Sequence, residues 1–274
     1  MSINYNMFIS LILGSFLFLA GYKLSSIVNR NSQRLMFTVL FLFLSIPGLS
    51  FVIYYLHLIK EPIWYVEFRS INNIEVIVSF FGLFFGFTAS IIRKFIKFGG
   101  KAINLCLFIV CLGMIFIPFC KPVLLPLKES GFKDSWKDGV CMQSKSSTCG
   151  PSSFATIFSY YGINKSEREI AQAAFSCGSG TENWYLIRYA RKNDLKIECM
   201  YKETLAEVPV PSVIGTRIGG GAGHFITVLG KDKDKFIIGD SLRGRLLLSQ
   251  EEFNQWYDFE GFVMNVKLNS SSLG

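Results

Sequence analysis

The chain has 274 residues, with 28 Lys/Arg against 20 Asp/Glu, a formal net charge of +8, and half of its residues hydrophobic. The charge is uneven: residues 1–120 carry nine Lys/Arg and three Asp/Glu, whereas 121–274 carry nineteen and seventeen, so +6 of the +8 lies in the apolar half. A nucleic-acid footprint needs a basic face on a soluble domain, so the basic balance excludes that class of partner. The second half has the composition of an ordinary soluble domain and is long enough to bury a core.

Four apolar runs stand in the first half, at roughly Met7–Tyr22, Leu35–Ile59, Ile74–Ile92 and Ala102–Cys120. About 20 apolar residues span a bilayer as a helix, so these predict a helical transmembrane domain over residues 1–120, with the lipid bilayer as partner. The first run lacks the positive flank and small-residue cleavage site of a signal peptide and is read as a retained helix. The first loop holds Lys23, Arg30 and Arg34, and the third holds Arg93, Lys94, Lys97 and Lys101. The middle loop offsets Lys60 and Arg69 with Glu61 and Glu67. Positive loops stay in the cytoplasm, so a multi-pass protein of the bacterial cytoplasmic membrane is expected, with its C-terminal domain outside. His57, at the end of the second run, is expected at the interface.

A juxtamembrane linker is expected over residues 121–138, where Pro122 and Pro126 break helix, followed by the soluble domain at 139–274. A first helix runs from about Cys149 to Tyr161, closed by Gly162. A second begins at Ser166-Glu-Arg-Glu169, a capping-box pattern, and stops near Cys177-Gly178. A third follows Thr181, with Trp184, Leu186, Ile187 and Ala190 at helical spacing. Strands are predicted at Leu195–Tyr201, Ser212–Thr216, His224–Leu229, Phe236–Asp240, Leu246–Leu248 and Gly261–Leu268, with a short helix near Ser249–Tyr257. Helices first and then a mostly antiparallel sheet make an α+β layout.

Gln143 stands six residues before Cys149, and Cys149 opens the first helix. A helix N-terminus favours a thiolate, and the glutamine amide is suited to donate to an oxyanion. His224, the single histidine of the soluble half, precedes Asp240 by sixteen residues. If His224–Leu229 and Phe236–Asp240 form a hairpin about the polar stretch Gly-Lys-Asp-Lys-Asp-Lys, the two residues fall almost opposite each other. Their Cβ atoms are then about 4.5–5.5 Å apart, within range of a carboxylate–imidazole bond. A Cys149–His224–Asp240 triad with Gln143 as oxyanion donor is therefore expected. Gly219–Gly223 is read as a place where a substrate backbone approaches the site. The remaining cysteines of this half, Cys141, Cys177 and Cys199, read as small buried hydrophobes, with one disulfide among them left open. No zinc-like spacing occurs, and no metal or cofactor is called for.

The runs CMQSKSSTCGPSSFATIFSYYGI, GAGHFITVLG and FIIGDSLRGR resemble the bacteriocin-processing cysteine peptidases, the double-glycine leader peptidases found on peptide-exporting ABC transporters. The resemblance covers roughly Cys141 to Leu268 and implies a papain-like fold. It assigns Cys149 as nucleophile, His224 as base, Asp240 as its orienting partner and Gln143 as oxyanion residue. It implies a cysteine endopeptidase that cleaves a leader or precursor peptide after small residues, of Gly-Gly type, with a peptide-export system as possible partner. Two features depart from the exporters: no GxxxxGK[ST] segment occurs, and the apolar part precedes the soluble domain. The external placement also differs from the exporter peptidases, which face the cytoplasm. The alternatives are a noncatalytic peptide-binding module and another thiol acyl-transfer enzyme such as a cell-wall amidase.

Overall fold

The computed structural model describes residues 4–28, 30–56, 61–96, 99–219 and 221–269; His57 and the end of the second apolar run lie outside them. The chain divides into two compact units. One comprises Asn4–Glu61 and Asn73–Cys120; the other joins Pro62–Asn72 to Lys121 and all that follows.

In the first unit, α1 (Asn6–Ile27) and α2 (Asn31–Tyr55) are long apolar helices. A third long run, Ile74–Phe95, starts as 3-10 helix and continues as α4 (Phe81–Phe95). The fourth, Gly100–Leu124, comprises α5 (Gly100–Phe116), a 3-10 turn and α6 (Cys120–Leu124). All four are long and apolar enough to cross a membrane. The first is longer than its apolar core suggested, because Lys23 to Ile27 extend it.

Small residues let these helices meet backbone to backbone. Gly14 and Gly21 on α1 face Gly82 and Gly86 on α4. A Cβ at Gly21 would come to 2.6 Å from the Leu83 carbonyl oxygen, and Cβ atoms at Gly82 and Gly86 would strike the carbonyl oxygens of Gly14 and Phe18. Ser10, Ser25 and Ser90 are buried along the same helices. Such stripes are how helices associate where lipid removes the hydrophobic drive between them. Large side chains point outward instead, among them Phe8, Ile12, Phe16, Leu19 and Phe43.

The second unit contains α3 (Ile63–Arg69), drawn from the middle loop. Tyr65, Val66 and Arg69 are buried. The Arg69 guanidinium lies 4.1 Å from the Trp184 ring, a desolvated cation–π contact worth about 2 kcal/mol. Glu67 pairs with Arg191 at 2.8 Å, and Arg188 donates to the Arg69 carbonyl. A loop that sequence gives no element therefore folds as part of this unit.

Next come a small hairpin, β1 (Ser135–Lys137) and β2 (Val140–Met142), then α7 (Cys149–Tyr160), α8 (Glu167–Ala173) and α9 (Asn183–Lys192). The strands are β3 (Leu195–Tyr201), β4 (Ser212–Ile218), β5 (Ala222–Asp232), β6 (Lys235–Asp240), β7 (Gly244–Leu248) and β8 (Asp258–Leu268). They form one antiparallel sheet in the order β3-β8-β4-β5-β6-β7. Between β7 and β8, α10 (Gln250–Trp256) carries a full capping box of Ser249 and Glu252. At α8 the Ser166 hydroxyl accepts from the Glu169 N–H.

The sheet is covered on both faces, so β4 is buried from Ser212 to Thr216. On one side α10 places Phe253 and Tyr257 in a core with Ile214, Ile226, Val228 and Ile238. On the other lies α7, buried from Gly150 to Phe158, with the Ser153 hydroxyl donating to the Phe225 carbonyl at 3.0 Å. The layout is the α+β, papain-like one expected from the sequence. Cys141 and Cys177 are buried, Cys199 is half-buried, and all three are free thiols.

Candidate active site

Cys149 is the first residue of α7, and Thr148 precedes it with non-helical backbone (φ −109°, ψ 19°). The first N–H groups of a helix have no acceptor within it, so those of Cys149 and Gly150 remain available to a ligand. Pro151 fits this first turn because its missing N–H is not needed there. Gly150 is a spatial requirement, since a Cβ there would come to 2.8 Å from the Leu186 side chain of α9.

The loop before the helix is held by a residue that sequence reading passed over. Glu167, fully buried, accepts from the Ser144 N–H at 2.7 Å, the Ser144 hydroxyl at 2.5 Å and the Thr148 hydroxyl at 2.5 Å. The Thr148 hydroxyl oxygen in turn accepts from the Lys145 N–H at 3.2 Å. Glu167 stands beside Ser166 in the capping pattern, and nothing local distinguishes it from Glu169.

His224 and Asp240 come from β5 and β6. The hairpin turns at Lys233–Asp234, with Asp232 opposite Lys235. A register shift between Val228 and Gly230 then pairs Thr227 with Gly239. Continued by one step, Asp240 falls opposite Ile226, two residues from His224. The expected direct opposition is thus corrected to a diagonal one. The one-residue shift leaves His224 an even two residues from the position opposite Asp240, so both side chains stay on one face, and His224 Nε2 lies 2.8 Å from Asp240 Oδ1. Both residues are buried.

Asp240 has four donors. Oδ1 takes His224 and the Leu242 N–H at 2.9 Å; Oδ2 takes Arg243 at 2.8 Å and the Tyr257 hydroxyl at 2.6 Å. Burial pushes its pKa up, but these bonds outweigh burial and hold the carboxyl well below the usual range. Arg243 stands three residues on in the chain, and the sequence reading did not single it out. Tyr257 comes from the end of α10, and no local signal places it there.

Burial disfavours the charged form of His224, yet hydrogen bonds to Asp240 and Cys149 overcome this and raise its pKa from 6.5 to about 9. Nε2 serves Asp240, which leaves Nδ1 for Cys149. By contrast, burial pushes the thiols of Cys141 and Cys199 up to about 12.

Gln143 follows β2. Its N–H donates to the Ser241 carbonyl at 3.0 Å, and its side-chain oxygen accepts from the Ser241 hydroxyl at 2.7 Å. Nε2 donates to the Lys145 carbonyl at 2.8 Å. A carbonyl only accepts, so this bond fixes which end of the amide is nitrogen, and the second Nε2 hydrogen finds no partner among the described residues.

Cys149 and His224 line one cleft of about 200 Å³, together with Lys121, Gly180, Glu182, Gly215 and Gly223 among others. Asp240 stands behind His224, and Gln143 joins the group through Ser241, next in chain to Asp240; neither lines the cleft. Of the described residues in the expected stretch Gly219–Gly223, Gly223 does; Gly220 lies outside the described residues. Among the described residues no group of three His, Cys, Asp or Glu is placed to hold a metal ion.

A protein of Methanothermobacter thermautotrophicus (strain Delta H) is 28% identical over 128 residues, 47% of this chain and 87% of that protein. A second from Methanothermobacter marburgensis is 27% identical over the same shares. Among solved structures, the peptidase domain of Streptococcus ComA, a bi-functional ABC transporter of a quorum-sensing pathway, has a TM-score of 0.42. It is 20% identical, covering 47% of this chain and 97% of that one. A double glycine motif protease from an AMS/PCAT transporter, in complex with the leader peptide, also scores 0.42 at 22% identity, covering 47% and 90%. Residues 137–271 match the family described as the Peptidase C39 family.

Proposed function

We propose that the protein is a membrane-anchored cysteine endopeptidase that cleaves a leader or precursor peptide after small residues. The observation that carries this reading is His224, buried, bonded through Nε2 to Asp240 at 2.8 Å and by its other side to Cys149 at the start of a helix. The C39 match adds the peptide substrate class.

In this reading the proton of Cys149 passes to His224 Nδ1, and the thiolate attacks the scissile carbonyl carbon. The oxyanion that forms accepts from the Cys149 N–H and from the second hydrogen of Gln143 Nε2. Collapse breaks the C–N bond; the leaving amine takes the proton from His224, and a thioester remains on Cys149. His224 then takes a proton from water, which attacks the thioester and releases the acid. Asp240 holds the ring so that Nδ1 faces Cys149 and stabilises the imidazolium. Residues 1–120 act as the bilayer anchor, 121–138 as the connector and 139–274 as the peptidase. The basic first and third loops support an external peptidase domain. A peptide-export system is a plausible neighbour on this reading.

The test is cleavage of a precursor peptide containing Gly-Gly by the full chain in detergent or vesicles. Cys149→Ala and His224→Ala are each expected to lose turnover by about 10⁴-fold, and Asp240→Ala to lose less. Full cleavage by Cys149→Ala would refute the assignment.

A further inference from the structure

The last apolar helical run, Gly100–Leu124, includes Lys121 in its final turns, and Lys121 lines the cleft that holds Cys149 and His224. The link is more than one side chain. Lys121 Nζ pairs with Glu182 at 2.7 Å, and Glu182 also lines the cleft. The Leu125 carbonyl accepts from the Gly178 N–H at 2.7 Å, and Pro126 bridges to Cys177. Gly178 and Cys177 begin the loop whose Ser179, Gly180 and Thr181 form the same wall. Val123, Leu124 and Leu125, between these braces, are exposed apolar residues.

A helix rises about 1.5 Å per residue, and a lysine side chain reaches about 6 Å. The cleft wall is thus within roughly 10 Å, measured along the covalent chain, of the end of an apolar segment long enough to cross a bilayer.

We infer that this site acts on peptides held at a membrane surface, by an apolar segment or an attached lipid, and cuts them close to that surface. Confinement to the bilayer raises the local concentration of such a substrate without any new contact, and a freely diffusing peptide lacks this gain. The inference rests on reading the apolar helices as an anchor and Cys149 as the nucleophile.

The test is a molecular ruler built on the Cys149 thiol. The full chain is reconstituted in phosphatidylcholine vesicles. It is exposed to iodoacetamide, and to iodoacetamide coupled to a dialkyl lipid through ethylene glycol spacers of about 10, 20 and 40 Å, placed in both leaflets. Alkylation of Cys149 is followed by mass spectrometry, with Cys149→Ala as the blank. The inference expects the shortest tether to react as fast as the longest, within about threefold. A tenfold or greater loss on shortening the tether, or a protein that does not float with the vesicles, would overturn it. Free iodoacetamide that reacts at Cys149 no faster than at Cys141 would instead overturn the nucleophile reading. The tether dependence of that slower reaction would still locate the cleft.

Discussion

The two units of this chain solve opposite packing problems. In the N-terminal unit, Gly14 and Gly21 meet Gly82 and Gly86, and helix backbones touch through the space that side chains leave empty. In the C-terminal unit, apolar side chains from both faces of a sheet supply the core, while buried polar groups cluster in two knots, one on Glu167 and one on Asp240. Water drives apolar burial, whereas helices that lie in lipid gain no such drive toward one another, and the four helices of the first unit are long and apolar enough to cross a membrane. The first unit therefore depends on close fit. The second has an apolar side-chain core, and its buried polar contacts brace the candidate site as well as the fold.

This contrast is easiest to break at Gly86. A Leu there would drive its side chain into the Phe18 carbonyl. Gly86→Leu is expected to destabilise the N-terminal unit by about 3 kcal/mol, read as a large drop in the thermal midpoint of the detergent-solubilised protein. Next comes Glu167→Ala, which leaves two hydroxyls and an N–H without their acceptor. We expect a loss of about 3 kcal/mol. Activity should fall faster than folded fraction, because the loop that carries Cys149 loses its brace, and Glu167→Gln should recover part of both.

Smaller effects sharpen the account of the Asp240 knot. Tyr257→Phe removes one of four donors and is expected to cost about 1 kcal/mol, with activity down about fivefold. Protein with its core intact but activity unchanged would show that Tyr257 is packing alone. The pH dependence follows from His224. Its pKa is raised from 6.5 to about 9 in the folded chain, so its charged form stabilises the fold fully below about 6.5. That contribution is lost as pH rises through about 9. Activity should fall over the same upper range, as the proton owed to the leaving amine is lost, and the stability slope between those values should vanish in His224→Ala.

How much was legible in the sequence differs between the same two units. The four apolar runs and the order of helices and strands were readable, because burial on both sheet faces leaves uninterrupted apolar stretches such as Val213–Gly215. The hairpin was readable in kind but two residues out, since the turn falls at Lys233–Asp234, later than the centre of the polar stretch that was expected to hold it, and composition does not mark which of those residues turn. Strand β1 was absorbed into the expected linker and β2 went unread at the start of the expected domain, although Asp138-Gly139 is a turn signal and both residues have positive φ (51° and 77°). Helix α3 was invisible, because seven residues between two apolar runs read as a loop until Arg69 finds Trp184. At the candidate site, Cys149, His224, Asp240 and Gln143 announced themselves by type and spacing. Glu167 and Tyr257 did not, because their value lies in partners far away in sequence.

The central claim is that Cys149 and His224 form one reacting pair, set apart from the other thiols of their unit. The most direct measurement is the rate of iodoacetamide alkylation at each cysteine of the full chain near neutral pH, resolved by mass spectrometry. Cys141 and Cys199, with thiols pushed up to about 12 by burial, are expected to react slowly. Cys149 should react first by about a hundredfold and lose most of that lead in His224→Ala. Equal rates at all three, or a Cys149 lead that survives His224→Ala unchanged, would contradict the account.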